Sequence, residues 1–287
     1  MSIRTILVSV DGSEASHHAL KMGFMIGRAM RSHVDVLHVR SDPKDTVPLL
    51  GEGMSVAMIE DMMDVAERDS IDKAGKARTV FEQAITDYGA TISHQPEGEG
   101  FSVNWIEETG REDDAVALHG RLVDLIVAPR PTESSDVSAN LALNAALFET
   151  GRAVLVVPPS GGGEPGKNVV ISWNGSAQAA RAVRSAMPIL KAAESVTVFT
   201  VESDRTSGER APELATYLGW HGIACDTHTL SGPSSTVGPK LMEEVAGVQA
   251  DMLVMGAYTH SRMRQLILGG VTRHVLETAG IPVLMAH

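Results

Sequence analysis

A few short segments of this chain carry residue types that do chemistry in other proteins, and their surroundings decide what each is worth. Residues 161–168, GGGEPGKN, come within one position of the phosphate loop G-x-x-x-x-G-K-[ST]. In that loop backbone N–H groups cradle phosphate and the last hydroxyl ligates Mg²⁺. Here the last position is Asn168, and a strand-like run, Val169–Trp173, follows where a helix is required. The segment reads as a glycine linker. Ser70-Ile71-Asp72-Lys73 matches S-x-x-K, a nucleophile–base pair of acylases, but no companion motif accompanies it. His17 and His18 are adjacent, so they point to different helix faces and do not share a metal. Glu107-Glu108 and Asp113-Asp114 read as solvated surface charge. Cys225 is the single cysteine, expected as a buried, inert thiol. It excludes an intrachain disulfide and a cysteine-based zinc cage. No Ser/His/Asp set and no carboxylate pair follows from spacing.

The elements that must position any site are bounded by composition. The chain has 287 residues, enough for about two domains. Hydrophobic residues make up 43% and charged residues 21%, a globular composition. Lys and Arg number 24 against 36 Asp and Glu, a net charge of −12. Such a surface repels phosphate backbones, so nucleic acid is not an expected partner. No apolar run is long enough to span a membrane, and Ile6–Val10 is too short for a signal sequence. A cytoplasmic location is expected.

The chain repeats itself. TILVSVDGSEAS at 5–16 matches NVVISWNGSAQA at 168–179, aligning Asp11 with Asn174 at an offset of 163. LVDLIVAPR at 122–130 matches QADMLVMGA at 249–257, aligning Asp124 with Asp251 at an offset of 127. GRAVLVVPP at 151–159 matches GIPVLMAH at 280–287. Three matches in one order indicate tandem duplication. The offsets assign extra chain to the first copy, around residues 44–88, which looks helical. Within it Met54, Met58, Met62, Val65 and Ala66 recur at helical spacing. They would form either a soft groove for a ligand or partner, or core filler under an extended helix, and core filler is the expectation. The expected domains are 1–159 and 168–287, with a linker at 160–167.

Both copies alternate strand and helix. In the first, strands are expected at Ile6–Val10, His33–Val39, Phe101–Ile106, Leu122–Ala128 and Ala153–Val157, with helices at 15–30, 112–120 and 138–149. In the second, strands are expected at Val169–Trp173, Val196–Val201, near 224–229, Met252–Met255 and Pro282–Met285. Helices there are 176–192, 209–221, 235–246 and 270–278. This order specifies an α/β fold of two doubly wound, open, parallel five-stranded sheets in tandem. Ligands of such sheets lie beyond the carboxyl ends of the strands, where strand order reverses.

DGS at 11–13, HV at 38–39 and VMGAYTHSRMRQLILGGVTRHVLETAGIPVLM at 254–285 carry a specific resemblance. The chain resembles the universal stress protein family in its tandem two-domain form, over nearly its whole length. The resemblance implies an adenine nucleotide alpha hydrolase-like fold. In nucleotide-binding members the pattern Gly, two residues, Gly, nine residues, Gly, then Ser or Thr follows strand four and holds ATP phosphates and ribose. An Asp ending strand one approaches the nucleoside.

Here Gly256 and Gly269 fit the first and third glycines, Thr259 stands at the second, and Gly270 stands where Ser or Thr is expected. Asn174 replaces the strand-one Asp. Gly269-Gly270-Val271 opening a helix still presents free N–H groups to an anion. His260 and His274 flank this segment, either near a bound anion or as plain helix-end histidines. In the first copy Pro129 stands at the first glycine, and residues 130–146 contain no glycine at all. Proline has no N–H to offer a phosphate, so the first copy is expected to be structural.

The resemblance implies a binding or sensing module rather than a high-turnover enzyme. ATP or another adenine nucleotide would sit in the second copy, with Mg²⁺ not specified. Gly256, Thr259, Gly269, Gly270, Val271 and Thr272 would face phosphate and ribose, and Asn174 with Val201 the nucleoside. The alternatives are a nucleotide-free scaffold and a weak ATP hydrolase. In the family, domains pair through their fifth strands, so Ala153–Val157 and Pro282–Met285 would pair within one chain as an internal pseudo-dimer. Further homo-oligomerisation stays open.

Overall fold

A computed structural model describes residues 2–42, 55–95, 100–132, 135–202, 211–231, 234–258 and 270–287. The first half runs β1 (Thr5–Ser9), α1 (Glu14–Met30), β2 (His33–Arg40), α2 (Val56–Tyr88), β3 (Thr91–Ile92), β4 (Ser102–Thr109), α3 (Glu112–Gly120), β5 (Leu125–Pro129), α4 (Val137–Glu149) and β6 (Ala153–Val157). The second runs β7 (Asn168–Trp173), α5 (Ala177–Ala192), β8 (Ser195–Glu202), α6 (Ala211–Trp220), β9 (Asp226–Ser231), α7 (Ser234–Gly247), β10 (Met252–Gly256), α8 (Gly270–Thr278) and β11 (Val283–Ala286). The expected strands and helices are therefore present, with ends shifted by up to three residues. The two-residue β3 adds a sixth strand to the first half.

The two sheets are continuous. Their combined order is β3-β4-β2-β1-β5-β6-β11-β10-β7-β8-β9. Neighbours are parallel except β6 and β11, which pair antiparallel with Leu155 opposite Leu284. Both strands are apolar and buried throughout. Left as edges, they would present unpaired main-chain groups in an apolar setting, and pairing removes that cost. One face of the sheet packs α1, α2, α5 and α6 through residues such as Phe24, Phe81, Met187 and Leu218. The other packs α3, α4, α7 and α8 through Leu147, Leu241 and Val275.

The repeat has a physical cause at its aspartates. The Asp124 carboxylate accepts hydrogen bonds from the N–H groups of Arg4 (2.7 Å) and Thr5 (3.1 Å) at the start of β1. Asp251 does the same for Gly166 (2.7 Å), Lys167 (3.0 Å) and Asn168 (2.8 Å) at the start of β7. Those three N–H groups are taken by Asp251 and are not presented to a phosphate. The linker is packed rather than loose. Gly161, Gly162 and Gly163 all have positive φ, and a Cβ on Gly162 would stand 2.5 Å from Pro282.

The insert is helical over 56–88, but the core-filler reading of its methionines is corrected. Met58 is 55% exposed, Met62 38% and Val65 66%. Met54 lies outside the described residues. Burial begins at Ser70 and continues through Ala77, Phe81 and Ala84. A helix of 33 residues is about 50 Å long, whereas a strand of eight spans only about 27 Å. The first half of α2 therefore overruns the sheet.

Candidate functional site

In each half the strand order reverses beside the first strand, between β1 and β5 and between β7 and β10. Both crevices are built from the same local turn. Asn174 follows β7, and its Oδ1 accepts the Ser176 N–H at 3.1 Å. Ser176 caps α5 by accepting the Ala179 N–H at 3.1 Å. In the first half Asp11 Oδ1 accepts the Ser13 N–H at 2.8 Å, and Ser13 caps α1. Gly12 and Gly175 supply the positive φ between. Asn replaces Asp without loss of the turn because the turn needs only an acceptor oxygen. The charge does differ. Burial would raise the Asp11 carboxyl, but hydrogen bonds from Ser13 and Ser16 outweigh it and hold it below its ordinary value.

The first-half crevice is filled by the chain itself. A Cβ on Gly12 would stand 2.6 Å from the Lys73 carbonyl oxygen, so α2 lies directly on the turn. Lys73 Nζ reaches Asp69 and Asp136, both at 3.0 Å. Asp136 is the N-cap of α4, the helix end at which a phosphate would otherwise find N–H groups. Beside it the His38 ring stacks on Trp105 at 5.9 Å, and Trp105 meets Phe81 of α2 at 5.1 Å. Arg78 lies over both Phe81 and Trp105. Burial pushes the Glu112 carboxyl above the usual range, although Ser9 donates to it at 2.6 Å; Asp11, Asp113 and Asp136 add to the rise. This acidic surrounding opposes a polyphosphate. Lys73 is engaged by two carboxylates, which hold its ammonium against the opposing effect of burial, so S-x-x-K has no free base.

The second-half crevice differs at two positions that sequence reasoning passed over. Trp173 ends β7 and lies opposite Thr200 of β8 in the sheet register. Trp173 Nε1 and Thr200 Oγ1 are both buried and have no hydrogen-bond partner among the described residues. Thr200 is only 4% exposed. An orphaned buried polar atom of this kind costs about 1–3 kcal/mol; among the described residues the first half holds four, His17 Nε2, His38 Nε2, Arg40 Nε and Ser70 Oγ, so what sets the second half apart is an indole N–H beside Asn174. The strand register gives the equivalence: Ser172 pairs with Phe199 where Ser9 pairs with Leu37, so Trp173 and Thr200, one step on, stand where the first half has Val10 and His38.

The remaining candidates are placed as follows. Gly256 ends β10, and a Cβ there would meet the Ala179 N at 2.5 Å, so close packing on the first turn of α5 already requires glycine. Gly270 opens α8, and no described residue stands within 4 Å of where its Cβ would be. Val271 packs against the core and Thr272 is buried, so these two can meet a ligand only through the backbone. Val201 pairs with Leu230 in β8–β9. Thr259, His260 and Gly269 lie outside the described residues. His274 sits one turn into α8 against Gly238, 3.0 Å from where a Cβ there would be, rather than beside Gly270. His18 lies against Gly161 in the linker. Cys225 is half-buried rather than buried and stands just before β9, because the strand begins at Asp226; burial pushes its thiol up, with Asp226 adding to it.

Tyr258, directly after β10, was also missed. It has φ of 55° and packs its ring on Phe148 of α4 at 4.8 Å. A non-glycine residue in this conformation is strained and needs its surroundings to hold it there.

The second crevice is lined, among the described residues, by the two buried polar atoms of Trp173 and Thr200, the Asn174 turn and the first turn of α8. Among the described residues no group of three His, Cys, Asp or Glu side chains stands close enough to hold a metal. No helix among them is long and apolar enough to cross a membrane.

Comparison with known proteins agrees with this fold. The model of the universal stress protein family matches residues 2–127 and 166–287. A universal stress protein of Synechocystis sp. is 23% identical over 98% of this chain and 99% of its own length. A crystal structure of a universal stress protein from Archaeoglobus fulgidus superposes with a TM-score of 0.66 at 17% identity, covering 98% of this chain and 97% of that one. A putative universal stress protein from Pseudomonas aeruginosa superposes with a TM-score of 0.56 at 15% identity, covering 98% and 92%.

Proposed function

Because the chain belongs to the universal stress protein family, we propose that it is a cytoplasmic sensing module that binds one adenine nucleotide, in the crevice of its second half. The observation that carries this reading is the pair of orphaned polar atoms, Trp173 Nε1 and Thr200 Oγ1, beside Asn174. A purine offers ring-nitrogen acceptors to the indole N–H, and a nucleoside offers hydroxyls to threonine and asparagine. Phosphate oxygens would meet backbone N–H groups at Gly256, Thr259, Gly269, Gly270, Val271 and Thr272, with Val201 lining the nucleoside side. Occupancy would then alter the affinity for a partner.

Asn174 brings no carboxylate to the site, which argues against metal-assisted ATP hydrolysis there. The filled crevice of the first half supports a scaffold role for that half. Calorimetry with ATP, ADP and AMP tests the whole reading. Wild type should bind one nucleotide per chain without phosphate release, and Thr200→Val should weaken it. Absence of binding would leave a nucleotide-free scaffold, and two sites per chain would refute closure of the first crevice.

A further inference from the structure

The N-terminal arm of α2 has no role in the crevice of either half. Met58, Met62 and Val65 follow at spacings of four and three, so they form one stripe, and that stripe is solvent-exposed. Exposed apolar side chains in a contiguous row are a recognised mark of an interaction surface. The arm is also strongly acidic. Glu60, Asp61, Asp64, Glu67 and Asp69 stand on it against a single cation, Arg68. Downstream the helix is clamped: Lys73 bridges to Asp136, and Ala77 and Phe81 are buried in the core. The stripe is therefore presented on a fixed rod rather than on a loose tail.

We propose that this arm docks a basic amphipathic helix of a partner protein, whose apolar face covers Met58, Met62 and Val65 and whose Lys or Arg residues meet the flanking carboxylates. Charge selects this occupant. A second copy of the chain would bring two acidic arms together, and an anionic membrane or a nucleic acid would be repelled for the same reason. Methionine side chains are unbranched and polarisable, so they repack around helices of different sequence.

The test uses the intact protein and a labelled amphipathic helix of Leu and Lys, followed by fluorescence anisotropy at physiological ionic strength. Wild type should bind it, and the same helix with Glu in place of Lys should not bind. The triple variant Met58→Ser, Met62→Ser, Val65→Ser changes only exposed side chains and should keep its circular dichroism. It should bind about tenfold more weakly, as should Glu60→Lys with Asp64→Lys. Reversing two remote exposed acids, Glu194→Lys with Glu243→Lys, should leave binding within about twofold of wild type. An unchanged triple variant would overturn the proposal, and so would remote reversals as damaging as those on the arm. A wild-type dimer in sedimentation that the triple variant dissolves would overturn it too, because a second copy would then cover the stripe.

Discussion

Lys73 Nζ of α2 and Asp136 Oδ2, at the N-cap of α4, lie 3.0 Å apart and tie the insert across the crevice of the first half. The Lys73 carbonyl presses on Gly12 from the same turn of helix. The two contacts differ in kind. The ion pair is largely solvent-exposed, while the carbonyl contact is backbone on backbone at a residue with φ of 81°.

Lys73→Ala should accordingly cost under about 1 kcal/mol of stability. Gly12→Ala should cost about 2 kcal/mol or more, because it adds a strained φ and a clash that α2 must move to relieve. Urea denaturation of both variants decides the order. A lysine variant less stable than the glycine variant would show that the ion pair, not the packed backbone, holds the insert down.

Two carboxyls beside this contact respond to pH in opposite senses. Glu112 is raised, chiefly by burial, so the native state keeps its proton longer than the unfolded chain does. Its contribution is complete below the unfolded value of about 4.3 and is lost as pH rises through the folded value. Asp11 is lowered, because hydrogen bonds from Ser13 and Ser16 outweigh burial. Its contribution is complete above about 3.9 and is lost as pH falls through the folded value. Glu112→Gln should flatten the decline on the alkaline side, and Asp11→Asn the decline on the acid side. Urea midpoints measured across acid to neutral pH would show each slope vanish separately; a Glu112→Gln curve parallel to wild type would refute the first assignment.

Gly256 and Gly270 should respond differently to alanine. At Gly256 the new Cβ would meet the Ala179 backbone N at 2.5 Å and displace the start of α5. A loss of about 1–3 kcal/mol is expected. Because Ser176 and Asn174 shape that same helix start, the nucleotide affinity that the proposed function entails should fall with it. At Gly270 no described residue stands within 4 Å of the new Cβ, and alanine favours the helix, so stability should hold or rise slightly. Thermal unfolding separates the two, and equal melting temperatures would contradict the packing at Gly256.

The continuous sheet predicts one cooperative unfolding event. Leu155 and Leu284 face each other at the junction, both fully buried. The amides of β6 and β11 should therefore exchange only through global unfolding. Calorimetry should give a single transition. Two resolved transitions would mean that each half keeps its own core and that the junction adds little.

The sequence by itself determined the alternation of strand and helix, the duplication, and the paired turns at Asp11 and Asn174. Each of these depends on neighbours a few residues apart: apolar periodicity, a capping hydroxyl, a glycine with positive φ. Asp124 and Asp251 were visible as repeat markers for the same reason, since each serves the strand beginning its own half. Tertiary structure alone decided where the insert lies. Met58 and Met62 have the spacing of a core stripe, yet only the length of α2 against the sheet beneath it leaves them in solvent. It also decided which polar groups lack partners. Trp173 and Thr200 are ordinary strand residues until the register sets them side by side, with Nε1 and Oγ1 buried and unpaired among the described residues, because burial and hydrogen-bond satisfaction belong to the packed chain and not to any stretch of it.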